Sequence, residues 1–294
     1  MENQGSTTAI TLNRLLFATD FSAASDTAFE YARSIAERYH AQMYVVHVID
    51  LDAFDLISSE STTEVLKQAH EQARQKIAGM LTTRGLPSDQ FHIVVTHGVV
   101  PEALTGIMRQ YDIELAVLGT HGRRAFKKLL LGSIAEEVFR VASCAVLTVG
   151  PKTAPIANVR PQHILYPVEF APDPSDAARY AISLAERYGA RLTVMNVAED
   201  MPASANKRED FPMPAGRWIE DHISKSSGLR RRLYFERGFG PAAEAILEFA
   251  SNAAVDVIVL GVRRQDPTIA AHLPKSDTAY EVVSRAPCPV LTIR

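Results

Sequence analysis

Three glycines and a serine mark where this chain could do chemistry. Gly119 and Gly122 are followed, nine residues later, by Gly132 and Ser133. The spacing follows directly on an apolar run, Leu115-Ala116-Val117-Leu118, and leads into a helix-like stretch from Ile134 to Val141. Glycine lets backbone approach an anion closely and take φ values that other residues avoid. The free N–H groups and positive dipole end of the next helix then favour negative charge. Arg123, Arg124, Lys127 and Lys128 lie in the same loop. The chemistry predicted is phosphate binding. A plain turn would account for Gly119 and Gly122, but Gly132-Ser133 at this distance favours the phosphate reading. Ser133 is expected to cap the helix with or without a ligand. The four cations read first as a solvated loop, with direct phosphate contact as the sharper reading. Nothing in the sequence around His121 marks it as catalytic.

A phosphate loop needs elements that hold it. Residues 12–149 alternate apolar, β-branched runs (about 13–18, 43–49, 91–96, 114–119 and 145–149) with segments of helical period. Ala28, Ala32, Ile35 and Ala36 form one apolar stripe, and Val65, Ala69, Ala73, Ile77 and Leu81 another. That alternation implies a parallel sheet with helices on both faces. Ligands of such sheets bind beyond the carboxyl ends of strands where the strand order reverses. Thr19-Asp20-Phe21-Ser22 follows the first strand, and the glycine loop follows the fourth. If those strands are neighbours, both features meet at one crevice. Asp20 would accept hydrogen bonds from a ribose hydroxyl or a base amine while the loop holds phosphates. The alternative role for Asp20 is to cap the helix starting near Ser22. His47, on an apolar strand, reads as a satisfied core residue.

The order then recurs. Tyr31-Ala32-Arg33-Ser34-Ile35-Ala36-Glu37-Arg38-Tyr39 returns as Tyr180-Ala181-Ile182-Ser183-Leu184-Ala185-Glu186-Arg187-Tyr188. Val117-Leu118-Gly119 returns as Val259-Leu260-Gly261, and Cys144-Ala145-Val146-Leu147-Thr148-Val149 as Cys288-Pro289-Val290-Leu291-Thr292-Ile293. The period of about 140–150 residues means a duplicated domain and not a solenoid. The expected division is 1–150, a short proline-bearing linker at 151–160, and 161–294. Where the first half has a long helical pattern from about 60 to 84, the second has Met201 to Arg217, read as loop, then a short helix around Trp218 to Ser226.

Composition narrows the function classes. A net charge of −3 over 294 residues gives no basic field for nucleic acid. Two cysteines are too few for a disulfide framework and read as packing residues. The polar start, Met1 to Ile10, lacks a signal-peptide core, and no run approaches the roughly 20 apolar residues of a membrane helix. A cytoplasmic protein is the expectation. The nine histidines show no metal-type pairing in sequence. There is no G-x-S-x-G elbow, no Walker A lysine motif and no Rossmann G-x-G-x-x-G after the first strand.

With these residues in place the chain resembles a tandem universal stress protein. The first half carries Ala18-Thr19-Asp20-Phe21-Ser22, Val45-Val46-His47-Val48-Ile49-Asp50 and the Gly119, Gly122, Gly132-Ser133 pattern of that family's ATP-binding branch. The resemblance implies an α/β fold of two doubly wound, five-stranded parallel sheets of order 3-2-1-4-5. It also implies that the halves pack as a pseudo-twofold pair through their last strands; whether the tandem chain forms a homodimer is left open. By similarity, Thr19 and Asp20 would meet the ribose or adenine edge and the backbone of Val46 the adenine. Gly119, Gly122, Arg123, Gly132, Ser133 and the N–H of Ile134 would meet the phosphates of ATP or another adenine nucleotide, magnesium arriving with them. The second half departs from the pattern. Glu169 stands for Asp20, Arg264 for the second glycine, and Ser276-Asp277 for Gly132-Ser133. A carboxylate where a phosphate must lie costs on the order of 1–4 kcal/mol at about 4 Å, so the second site reads as degenerate.

The leading reading is an ATP-binding stress-response module. The alternatives are a slow ATPase or adenylyl-transferring enzyme, and a nucleotide-free interaction scaffold.

Overall fold

The computed structural model describes residues 10–50, 59–120, 132–155, 158–169, 176–199, 218, 222–224, 226–262 and 278–294. The described residues fall into two compact units, one built around residues 12–151 and the other around residues 160–294.

The first unit runs β1 (Arg14–Ala18), α1 (Ala23–Tyr39), β2 (Gln42–Ile49), α2 (Ser59–Thr83), β3 (Phe91–His97), α3 (Val100–Gln110), β4 (Leu115–Gly119), α4 (Ser133–Val141) and β5 (Ala145–Val149). Its strands are hydrogen-bonded in the order β3-β2-β1-β4-β5, each pair parallel. Leu15, Leu16 and Phe17 are fully buried. Helices cover both faces, so the central strand is apolar throughout rather than alternating. On α1 the predicted stripe is buried at Ala28, Ala32 and Ile35, with Phe29 and Tyr39 added and Ala36 only half-buried. Phe29 meets Phe17 edge-on at 5.3 Å. The helix ends at His40, whose left-handed φ of 56° turns the chain into β2. On α2 the predicted stripe is buried only from Ala73 onward, through Ile77 and Leu81.

The second unit runs β6 (His163–Pro167), α5 (Ala177–Tyr188), β7 (Arg191–Ala198), β8 (Leu233–Phe239), α6 (Ala242–Asn252), β9 (Val257–Gly261), α7 (Thr278–Arg285) and β10 (Val290–Ile293). Its order is β8-β7-β6-β9-β10, the same as the first once the repeat is aligned, and all its pairs are parallel. One device recurs in both. The Glu114 carboxylate, just before β4, accepts the Asn13 and Arg14 N–H groups at 2.5 and 2.9 Å. Asp256, just before β9, accepts those of Gln162 and His163 at 2.7 and 2.9 Å. Each carboxylate satisfies the first N–H groups of a central strand and fixes its stagger against its neighbour. Met201 to Arg217 lies outside the described residues. The short helix expected around Trp218 to Ser226 is seen as helix only at Trp218 and His222, and a 3-10 turn over Gly228–Arg232, unforeseen in the sequence, precedes β8. Trp218 is buried and stacks on His222 at 4.7 Å. Cys144 and Cys288 are free thiols, each pushed up to about 12, chiefly by burial.

His163, buried at the start of β6, carries a pH dependence. His163 Nδ1 lies 2.7 Å from the Arg191 guanidinium and 3.2 Å from the Ala253 carbonyl, and Nε2 lies 2.8 Å from Thr193 Oγ1. Burial first, and the Arg191 charge after it, pull the His163 pKa below its ordinary value. The unfolded chain therefore binds a proton at higher pH than the folded one. Stability is full above about pH 6.5 and falls as pH drops below that value, until the folded imidazole itself titrates. Urea denaturation at descending pH should show this loss, and His163→Gln should flatten it. An unchanged slope in the variant would remove His163 as its source.

Candidate functional site

Strand β1 pairs with β2 on one side and β4 on the other, so the order reverses there and the carboxyl ends of the three strands share a rim. Thr19 ends β1. Its N–H donates to the Val46 carbonyl at 2.9 Å, and its own carbonyl accepts His47 Nδ1–H at 2.7 Å. A carbonyl can only accept, so His47 carries its proton on Nδ1. The buried Thr19 hydroxyl accepts the Phe21 N–H at 3.0 Å and lies 3.1 Å from Ser25 Oγ. Ser25 Oγ donates to the Ser22 carbonyl at 2.8 Å, so Thr19 is the donor in the hydroxyl pair. The network holds Phe21 at φ 61°, a left-handed conformation costly for a bulky side chain. Its ring lies over His47 at 4.5 Å, and the exposed Lys76 ammonium sits 4.1 Å from its centroid.

Ser22 and not Asp20 caps α1: Ser22 Oγ accepts the Ser25 N–H at 3.2 Å. Asp20 instead accepts the Ser22 N–H at 3.0 Å, a local turn that fixes a half-buried carboxylate at the rim.

The glycine loop enters at Gly119, the last residue of β4. A Cβ built there would lie 3.1–3.2 Å from the backbone of Ala24 and Ser25, so any larger residue would push the first turn of α1 back by a few tenths of an ångström. Thr120 is buried, and its carbonyl accepts the Gly132 N–H at 2.9 Å. Thr120 and Gly132 are thus direct neighbours, and the Thr120 N–H donates to the Val149 carbonyl of β5 at 3.0 Å. Gly132, and not Ser133, is the N-cap of α4, with no side-chain bond to the helix; Ser133 is the first helical residue. The expectation that Ser133 caps the helix fails by one position, because Gly132 takes the extended conformation (φ −62°, ψ 145°) that a cap requires. Ile134 follows, 42% exposed at the helix start. Gly122, Arg123, His121, Arg124, Lys127 and Lys128 lie outside the described residues.

Of the predicted site residues, Thr19, Asp20, Val46 and Gly119 lie on this rim, and Gly132 is tied to it through Thr120. Ser133 and Ile134 open the helix that follows. The Val46 carbonyl is occupied by Thr19, so an adenine amine would have to share it. Strand backbone groups alternate between neighbours: Val46 faces β1, and the Ile49 carbonyl accepts Gly98 N–H beyond β3. Val48 thus faces past the end of β1, a position that sequence reading missed. The Ser22–Ser25 hydroxyl network was also missed; the clustering of Thr19, Ser22 and Ser25 was its signal.

The second unit keeps the backbone frame and changes the chemistry. The Val168 N–H donates to the Met195 carbonyl at 2.8 Å and Asn196 Nδ2 donates to the Val168 carbonyl at 3.0 Å, as Thr19, Val46 and His47 do in the first. Val168 brings no hydroxyl, and Glu169, in the place of Asp20, is exposed. Arg264 and Ser276-Asp277 lie outside the described residues. Among the described residues no helix is long and apolar enough to cross a membrane.

Comparison with known proteins agrees with the duplication. The model of the universal stress protein family matches twice, over residues 11–150 and 161–294. A universal stress protein of Methanocaldococcus jannaschii is 29% identical over 140 residues, which is 46% of this chain and 81% of that protein. Universal stress protein A homolog 1 of Coxiella burnetii is 33% identical over 141 residues, 47% of this chain and 96% of its own length. A solved universal stress protein from Archaeoglobus fulgidus shares the fold across 97% of both chains, with a TM-score of 0.70 at 21% identity. The chain belongs to the universal stress protein family and carries the family's domain twice in tandem.

Proposed function

We propose that the first unit binds one adenine nucleotide, ATP foremost, with magnesium arriving on its phosphates, and that the chain acts as a nucleotide-dependent regulatory module. One observation carries this reading. The turn that holds Asp20 follows β1, the first turn of α1 lies against Gly119 at the end of the neighbouring β4, and the next residue, Thr120, is tied to Gly132 at the start of α4. A hydroxyl-binding carboxylate and an anion-favouring helix start thus belong to one rim. The sugar would lie at Asp20, the base toward Val48, and the phosphates toward Gly132, Ser133 and Ile134, with Gly122 and Arg123 completing the loop. The loop between Thr120 and Gly132 is the element through which occupancy is read. The second unit, with Val168 and Glu169 in place of Thr19 and Asp20, reads as a degenerate site.

Mass spectrometry of small molecules released from the purified chain should find an adenine nucleotide, and calorimetry should count close to one site per chain. Two equivalent sites would overturn the asymmetry, and no nucleotide affinity at all would leave the scaffold reading. Rapid steady-state turnover would move the protein to the enzymes.

A further inference from the structure

His70 and His97 stand apart from the rim residues. His97 is the last residue of β3, paired in register with Ile49, and His70 lies within the 25-residue helix α2. His70 Nε2 and His97 Nδ1 are 3.2 Å apart, with ring centroids at 5.4 Å and planes at 78°. Two imidazole nitrogens on one tetrahedral zinc ion, each at about 2.0–2.1 Å, stand about 3.3 Å apart. Two cis positions of an octahedral ion at about 2.1 Å give about 3.0 Å. The observed separation falls between these values.

We propose that His70 and His97 form the protein half of a binding site for a borderline divalent transition metal ion, of the zinc, nickel or copper(II) class. Both residues sit on regular elements, His70 on α2 and His97 at the end of β3, so the backbone fixes how their side chains start toward each other. His97 is exposed and His70 half-buried, which leaves an approach for a hydrated ion. Burial first, and the neighbouring His97 after it, hold the His70 pKa below its ordinary value. In the metal-free pair one nitrogen donates its proton to the other. Binding requires the donor ring to move that proton to its far nitrogen, so no net proton leaves. Arg74, one turn beyond His70, directs its guanidinium to the Ile93 carbonyl at 3.5 Å, four residues back along β3, and so away from the pair. Among the described residues no third histidine, cysteine or carboxylate completes a cluster. Imidazole ligands order the affinities with copper(II) above zinc and nickel.

The test uses the full chain and the ions alone. Copper(II) or zinc is titrated into wild type, His70→Gln and His97→Gln in a non-coordinating buffer near neutral pH, with circular dichroism confirming the fold. Glutamine keeps polarity and volume but does not replace imidazole as a ligand. Each variant should bind roughly tenfold more weakly or worse. In wild type the His70 and His97 ring resonances should be the first to broaden with copper(II). No binding by wild type, unchanged affinity in both variants, or broadening that begins at other histidines would each overturn the site and leave a plain histidine–histidine hydrogen bond.

Discussion

Gly132→Asp is expected to weaken adenine-nucleotide binding about a hundredfold or more, with the fold intact. Gly132 sits at φ −62° and ψ 145°, backbone angles open to any residue, so aspartate meets no strain there. As an N-cap with no side-chain bond, glycine leaves the capping position unused. Aspartate would fill it and stabilise α4 by a few tenths of a kcal/mol. Binding moves the other way. Like charges at about 4 Å near a protein surface repel by about 4 kcal/mol, roughly a thousandfold, before counterions and magnesium screen part of it. The two effects have opposite signs, so lost affinity cannot be blamed on a damaged fold. Gly132→Asn separates charge from bulk: it has the same shape, caps nearly as well, and should retain most of the affinity. Calorimetry with ATP and thermal unfolding on the three proteins give the answer. Full affinity in the aspartate variant would mean that the start of α4 does not face phosphate. Equal losses in both variants would mean that space, not charge, is limiting.

What could be read beforehand, and what could not, follows from the range of the forces involved. The strands were legible because helices on both faces bury them, and double burial writes an unbroken apolar run such as Leu15-Leu16-Phe17. The duplication was legible because a repeated packing problem received the same answer twice, down to Tyr31 to Tyr39 and Tyr180 to Tyr188. Gly119 was picked out correctly but for half the reason. Its spacing suggested an anion, and the structure adds that the backbone of Ala24 and Ser25 would crowd a Cβ there. The cap was misplaced by one residue because serine is the better capper by propensity, while the chain path puts glycine at that position. Phe21 was read only as part of a motif. Its left-handed backbone arises from the Thr19 hydroxyl, a contact no propensity encodes. His70 and His97 lie 27 residues apart, and only the packing of α2 on β3 brings them together. The 3-10 turn before β8 gave no periodic signal, since its five residues are too few to show one.

Thr19→Val tests whether that hydroxyl network builds the site. Valine keeps the shape of threonine, and the second unit already carries Val168 at the equivalent point with the same backbone bonds, so the change is sterically accommodated. What disappears is the hydroxyl alone. The Phe21 N–H loses its acceptor, and Ser25 Oγ loses the donor that links β1 to α1. Leaving such buried or half-buried groups unmet costs about 1–3 kcal/mol, read as a lower urea midpoint. The functional effect follows from geometry. With Phe21 no longer held at its left-handed φ, the turn that aims Asp20 relaxes, and nucleotide affinity should fall roughly tenfold. Thr19 is a positioning residue here, and Thr19→Ser is its control: it keeps the hydroxyl, loses one methyl, and should restore most of the affinity and most of the stability. A valine variant that binds and unfolds like wild type would show that the turn stands without the hydroxyl. A valine variant that loses stability but keeps full affinity would show that Asp20 is aimed by its own bond to the Ser22 N–H and by nothing beyond it.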